Sequence, residues 1–320
     1  MTPTCPGGRM THRTVLVEQH GNVLVARLDS PPSALMTREM VLELGALARR
    51  ADADPAVGAV VLTGTHASRF LAHFDVRLIH GGAKRSPKVS ASVVRAGLRL
   101  TGAVLKVPGG SALLARSPLV GLMAWEQMKD VLHAIETSSA VWVAALNGDT
   151  GGGGCELALA CDYRFMADGR FGISQPEILL GFPPGSGGTQ RLARLLGGRR
   201  ALQISLEGTP ISPAEAQEVG LVDRVVPPDA LLQEAVEHAG RLGRRPKAAI
   251  GAVKRAVREG GSLPLREGLR FEGAEWLAAT TTSESLEAQR AYLARTKELG
   301  DVAGLDPATL EEAVARGRFA

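Results

Sequence analysis

Two hydrophobic periods alternate along the chain. Residues 14–19 and 23–28 are short β-like runs on either side of Gly21-Asn22, the pattern of a hairpin. A Pro31-Pro32 break follows, and Thr37 stands ready to cap a helix whose apolar positions, Met40, Leu44, Leu47 and Ala51, fall at helical spacing. Asp52, Asp54 and Pro55 end it. Residues 57–63 form a continuous apolar run closed by Gly64, which predicts a buried strand, and residues 140–146 form another. Between them, Met128, Val131, Leu132 and Ile135 share one face of a helix predicted over 122–136. Strand, helix and strand in succession predict a layered α/β fold. The last third is more helical. Ser212-Pro213-Ala214-Glu215 joins a capping box to a proline at the first helical position. A short strand over 221–226 and helices over 231–242, 246–257 and 265–297 follow, with no internal repeat.

Composition narrows the class. The 320 residues are 45% hydrophobic and 22% charged, ordinary values for a globular chain long enough for about two domains and a core without staples. No run approaches a membrane span, so no membrane partner is expected. Cys5, Cys155 and Cys161 show neither zinc-like spacing nor a paired framework, which predicts no metal site and a reducing, cytoplasmic setting. Residues 1–13 have no apolar stretch and read as a disordered leader; Arg9 and Arg13 without acids give it a faint transit-peptide character. A net charge of +4 by itself predicts neither nucleic acid nor membrane, but suits an anionic small molecule. The basic residues are not evenly spread. Residues 76–125 hold no Asp or Glu and eight basic residues: Arg77, Lys84, Arg85, Lys88, Arg95, Arg99, Lys106 and Arg116. This is either a long, partly helical surface segment or a cover over something anionic.

The chemistry concentrates between residues 141 and 192. A buried strand runs into Asn147-Gly148, then Asp149-Thr150, then four glycines and Cys155-Glu156. Glycines let backbone N–H groups approach a ligand, and a helix N-terminus adds a positive dipole end, so the turn is a site for a phosphate or an oxyanion. Phosphate fits poorly. The Lys-Ser/Thr of a Walker loop is missing after Gly154, and an acid beside the donors repels phosphate. Glu156 is the single charge in the first two turns of an apolar helix, costly unless paired or used. Glu177, after Pro176, raises the same question. Context alone leaves both open: either acid reads equally as a first-turn residue favoured by its own helix.

At these residues the sequence resembles the crotonase superfamily, the enoyl-CoA hydratase/isomerase family, over about residues 16–292. The resemblance is carried by D-P-A-V-G-A-V-V-L-T-G from Asp54, L-N-G-x-x-x-G-G-G-C-E-L-A-x-x-C-D from Leu146, Q-P-E-I-L-L-G from Gln175, P-G-S-G-G-T-Q-R-L from Pro184 and G-L-V-D-R-V-V from Gly220. It implies an α/β spiral of ββα units over residues 14–208, interrupted by the basic insertion around 77–125, and a C-terminal helical region over 209–320 that assembles trimers or dimers of trimers.

By position it implies that Glu156 and Glu177 are catalytic carboxylates and that the N–H groups of Gly153 and Phe74 form the oxyanion hole. Ala72, Phe74, Asp75, Gly152 and Gly153 line the substrate. The implied activity is hydration of a trans-2-enoyl-CoA thioester, with coenzyme A part of the substrate and no separate cofactor. An isomerase, decarboxylase or thioester hydrolase of the same superfamily, or a non-catalytic or RNA-binding member, is the alternative. The retained acid pair favours the hydratase, and the scarcity of aromatics in the basic stretch argues against a nucleic-acid partner.

Three departures stand out. The loop usually resembling F-x-A-G-A-D reads F-L-A-H-F-D, placing His73 and Phe74 where small residues are usual. The chain between Asp75 and Asn147 is extended, and Ser33-Ala34-Leu35 replaces N-A-L near the expected adenine site. Arg77, Lys84, Arg85 and Lys254 are weak candidates for the CoA phosphates, each read first as a solvated surface charge. His73 has the same bland reading as a surface or packed residue. Cys155 is expected to fill core space.

Overall fold

The computed structural model describes residues 13–85, 88–105, 107–110 and 120–320. Residues 1–12 of the expected leader lie outside it.

Six strands form the larger sheet: β1 (Val15–His20), β2 (Val23–Leu28), β3 (Ala59–Gly64), β5 (Val141–Leu146), β7 (Tyr163–Ala167) and β9 (Arg224–Val226), in that order. The β1–β2 hairpin is antiparallel, with Val15 opposite Leu28, and every later pair is parallel. Three short strands, β4 (Arg69–Leu71), β6 (Asp149–Gly151) and β8 (Ile173–Ser174), form a second parallel sheet. The chain therefore lays one strand in each sheet, then returns through helix, and repeats. This is the spiral of ββα units that the resemblance implied.

The inner strands of the large sheet, β2, β3, β5 and β7, are buried on both faces, and their side chains divide by the two-residue pleat. Leu24, Val60, Leu62, Trp142, Ala144 and Met166 point to one core, beneath α1 (Arg38–Ala53) and α4 (Val120–Thr137). Val23, Val61, Val143 and Phe165 point to the other, beneath α8 (Leu231–Leu242). The α1 stripe is the one the spacing predicts, and the Thr37 hydroxyl accepts from the Met40 N–H as its cap.

The basic stretch contains α2 (Val76–Arg85) and α3 (Ala91–Leu105) before α4 begins. α5 (Gly153–Ala160), α6 (Gly188–Glu207), α7 (Pro213–Glu218), α9 (Lys247–Arg258), α10 (Leu265–Thr280), α11 (Ser283–Leu299) and α12 (Pro307–Arg316) are the other α-helices among the described residues. The single helix expected over 265–297 is two. Thr282 adopts extended angles and its hydroxyl caps the Ser285 N–H, which starts a new helix.

α8 is seated on the sheet without side chains at its end. A Cβ on Gly58 would stand 1.9 Å from the Gly243 carbonyl oxygen, and one on Gly243 would stand 2.7 Å from the Gly58 carbonyl carbon. Gly58→Ala is therefore expected to destabilise the protein by roughly 1–3 kcal/mol, the cost of forcing atoms into a filled site. Gly102→Ala, in open space on α3, is expected to be neutral or stabilising. Urea denaturation of both variants checks the pair.

Candidate active site

Strand β6 reaches α5 through Gly152, at φ 47°, a left-handed conformation that favours glycine. The neighbouring glycines are required by space. A Cβ on Gly151 would lie 2.6 Å from the Ala72 carbonyl oxygen, and one on Gly154 2.4 Å from that of Leu71. At Gly152 it would lie 2.8 Å from Glu177 Oε1 and 3.2 Å from His73 Cβ. The turn thus presents bare backbone to residues 71–73 on one side and to the Glu177 carboxyl on the other.

This contact brings Phe74 and Gly153 together. Gly153 is the first residue of α5, so its N–H has no acceptor within the helix. Phe74 bridges Met36 in parallel: the Met36 N–H donates to the His73 carbonyl at 2.9 Å, and the Asp75 N–H donates to the Met36 carbonyl at 3.2 Å. In that pattern the Phe74 N–H faces away from Met36. It belongs to the same planar peptide as the His73 carbonyl, so the Met36 bond fixes its direction. The Phe74 nitrogen lies 3.4 Å from where a Cβ on Gly153 would sit, with Met36 Sδ at 3.4 Å and Met128 Cε at 3.6 Å. Two backbone donors without intrahelical or bridge partners thus flank one point between two thioethers.

The two glutamates stand beside it. Glu156 is 3% exposed, and its carboxyl does not cap its own helix. Oε1 accepts from the Ser186 N–H at 2.7 Å and the Gly188 N–H at 2.9 Å, at the N-terminus of α6. Arg191 secures that loop: Nη1 donates to the Ser186 carbonyl at 2.7 Å while the guanidinium forks onto Glu136 at 2.8 and 2.7 Å. Glu177 lies in a short 3₁₀ turn, Pro176–Leu180, and its buried Oε2 has no partner among the described residues. For Glu156 the bland reading, a cap for its own helix, is therefore not what the structure contains; the Glu177 carboxyl does accept from its own backbone N–H, but leaves Oε2 unused.

Burial pushes the Glu156 carboxyl up to about 7, against the two N–H donors and Arg191 that favour its charge; the Glu177 carboxyl pushes it the same way. Burial also raises Glu177 above the usual carboxylate range. A charge on Glu177 thus opposes a charge on Glu156, which disfavours ionising both.

The remaining expected site residues divide. Ala72, through its carbonyl against Gly151, and Asp75 belong to the loop, but the Asp75 carboxylate is taken by Arg77, at 2.8 Å from Nη2. The Arg77 and Lys84 side chains are exposed. The Lys254 expectation is corrected: its ammonium is largely buried, pairs with Asp162 at 2.8 Å and donates to the Ile135 and Ala140 carbonyls, so it holds the core together. Cys155 is buried, and burial raises its thiol, which fits a space-filling role. His73 donates from Nδ1 to the Phe74 carbonyl at 2.8 Å, since the carbonyl only accepts.

Sequence reasoning missed Met36, Met128, Arg191 and Trp125. The indole nitrogen of Trp125 lies 3.2 Å from where a Cβ on Gly185 would stand, and Lys129 lies over its ring at 3.9 Å. Met128 and Trp125 share one helix face three residues apart, a signal that was readable. Nothing in the sequence pairs Arg191 with Glu136.

The raised Glu156 predicts a pH dependence of stability. Folded, the group keeps its proton up to about 7, against an ordinary value of 4.5. Across that window the folded state binds more protons than the unfolded, so this group's contribution falls as pH rises. Glu156→Gln keeps an acceptor for Ser186 and Gly188 and removes the titration. Relative to the parent protein, it is expected to gain stability between pH about 4.5 and about 7. Urea denaturation at the two ends of the window measures it.

Known proteins share this arrangement of chain. The enoyl-CoA hydratase/isomerase family model matches residues 114–299. A probable enoyl-CoA hydratase of Rhizobium meliloti is 34% identical over 291 residues, covering 90% of this chain and 98% of the relative. A crotonyl-CoA hydratase of Syntrophomonas wolfei is 29% identical over 290 residues, covering 90% and 98%. The crystal structure of an enoyl-CoA hydratase from Bacillus anthracis matches with a TM-score of 0.69 at 25% identity, covering 90% of this chain and 97% of that one. Motif order, fold, the glycine turn and these relatives agree: the chain is an enzyme of the enoyl-CoA hydratase/isomerase family, within the crotonase superfamily.

Proposed function

We propose that the protein is an enoyl-CoA hydratase, adding water across the α,β double bond of a trans-2-enoyl-CoA thioester. The observation that carries this reading is the placement of two buried carboxyls, Glu156 and Glu177, both raised by burial, around the Gly152 turn beside the Phe74 and Gly153 N–H groups. The names of the Rhizobium and Syntrophomonas relatives support it.

The thioester oxygen accepts from the Phe74 and Gly153 N–H groups. These stabilise the negative charge that gathers on it as a water oxygen bonds to the β-carbon. Of the carboxyl pair, the ionised member takes a proton from the water and the protonated member gives one to the α-carbon. Hydrogen and hydroxyl are added, and the pair ends with the same number of protons. Glu156 Oε1 is held as an acceptor by two N–H donors, so a proton on Glu156 resides on Oε2. The coenzyme A moiety is substrate, and no separate cofactor or metal has a step.

Assembly as a homotrimer or a dimer of trimers is part of the same proposal. α10 and α11 bury no residue within the protomer, and Leu265, Trp276 and Leu293 are 79%, 64% and 64% exposed, the surface a partner copy covers.

A ladder of trans-2-enoyl-CoA chain lengths, followed by loss of the conjugated-enoyl absorbance, tests the reaction. Turnover is expected for the parent, and Glu156→Gln and Glu177→Gln are each expected to lower kcat by about 10²–10⁴-fold. Near-parental turnover by both variants removes the acid pair from the mechanism. Thioester binding without hydration at any length points instead to isomerase, decarboxylase or thioester-hydrolase chemistry.

A further inference from the structure

The proposed reaction leaves the acid-free stretch unused. It emerges at the site: α2 begins at Val76, directly after the Ala72–Asp75 loop, and α3 follows and packs on α4. α3 has three faces. Thr101 is buried and Val94 and Leu98 are half-buried, marking the side turned to the protein. Arg95 and Arg99, one turn apart, form an exposed basic stripe. Val93, Ala96, Leu100 and Ala103 recur at three- and four-residue spacing as an exposed apolar stripe beside it, with Val93 and Leu100 each 58% exposed. Val89, 51% exposed just before α3, extends its apolar surface, and Leu78 on α2 is 53% exposed.

We propose that this surface docks the protein on an anionic lipid bilayer, with α3 lying in the plane of the interface. A helix that joins an exposed aliphatic stripe to an exposed arginine stripe fits that boundary: the aliphatic side enters the headgroup region and the guanidiniums meet lipid phosphates. The absence of Asp and Glu from residues 76–125 removes the like-charge repulsion an acid would bring to a negative surface. No helix among the described residues is long and apolar enough to cross a membrane, so the contact lies on the surface. RNA fits less well. Among the described residues of the stretch the aromatic available for stacking is Trp125, at its end and engaged with Lys129. The inference does not depend on the reaction assigned above, because lipid binding is read without turnover.

The test is co-sedimentation of the full chain with sucrose-loaded vesicles, one set of phosphatidylcholine and one of phosphatidylcholine with phosphatidylglycerol. Pelleting with the anionic vesicles at low salt, little with the neutral ones, and release at high salt are expected. The double variant Arg95→Glu with Arg99→Glu is expected to weaken binding by about thirtyfold or more, given roughly thirtyfold for two lost basic contacts alone. Val93→Ser with Leu100→Ser is expected to weaken it severalfold. Arg170→Glu with Arg199→Glu, an equal charge change at exposed positions elsewhere, is expected to retain most of it. Far-UV circular dichroism shows that each variant is folded. Absence of pelleting on anionic vesicles overturns the proposal. So does loss that is equal in both arginine pairs, or low-salt binding of single-stranded RNA that Arg95→Glu with Arg99→Glu abolishes while vesicle binding persists. Loss of self-association in Val93→Ser with Leu100→Ser, with vesicle binding unchanged, assigns the stripe to a second copy of the chain instead.

Discussion

The structure depends on a close approach of two backbones. Residues 71–74 and 151–154 meet with no side chain between them, because Gly151 and Gly154 have no Cβ to collide with the Ala72 and Leu71 carbonyls. The approach places the N–H at the start of α5 next to the N–H of Phe74. The peptide carrying the second donor is oriented from behind by the Met36 N–H on the His73 carbonyl. A Phe at position 74 does not disturb this, because the donor belongs to the backbone and survives any residue but proline. The two large parallel-strand cores are the frame that holds the turn and the loop in register, through β4 and β6 of the small sheet.

The electrostatics follow from the same frame. α5 is apolar and buried, so Glu156 is carried into the interior. Two N–H groups at the start of another helix make an acceptor of one oxygen without cancelling the cost of burial. Arg191 and Glu136 form a largely buried fork that holds the loop supplying those N–H groups. Glu177 has no such anchor on Oε2, so one member of the pair is fixed and the other is left with an unused acceptor. That asymmetry suits a pair in which the two carboxyls exchange acid and base roles.

Much of this was legible in the sequence, for identifiable reasons. Long apolar runs gave β3 and β5, the 3.6-residue stripe gave α1, and four consecutive glycines before an apolar helix marked the turn. Glu156 drew attention because it was the single charge in an apolar helix. The small sheet was not legible: β4, β6 and β8 have three, three and two residues, too short for a period-two pattern to register. The division of α10 from α11 was written in Thr282 and Ser285, and that of α12 in Asp306 ahead of Pro307, but these polar signals sit within strongly helical sequence. Lys254 shows the opposite failure. A lysine on an amphipathic helix reads as surface, and only the fold reveals the Asp162 carboxylate and two carbonyls that hold it inside.

The central claim is that Phe74 and Gly153 polarise a thioester carbonyl. Difference infrared spectroscopy tests it directly, with a saturated acyl-CoA carrying carbon-13 at the thioester carbonyl, which binds without being hydrated. The account predicts a carbonyl stretch moved to lower frequency on binding, and still lowered in Glu156→Gln and Glu177→Gln, because the donors are backbone groups. A bound carbonyl with the frequency it has in water would contradict it.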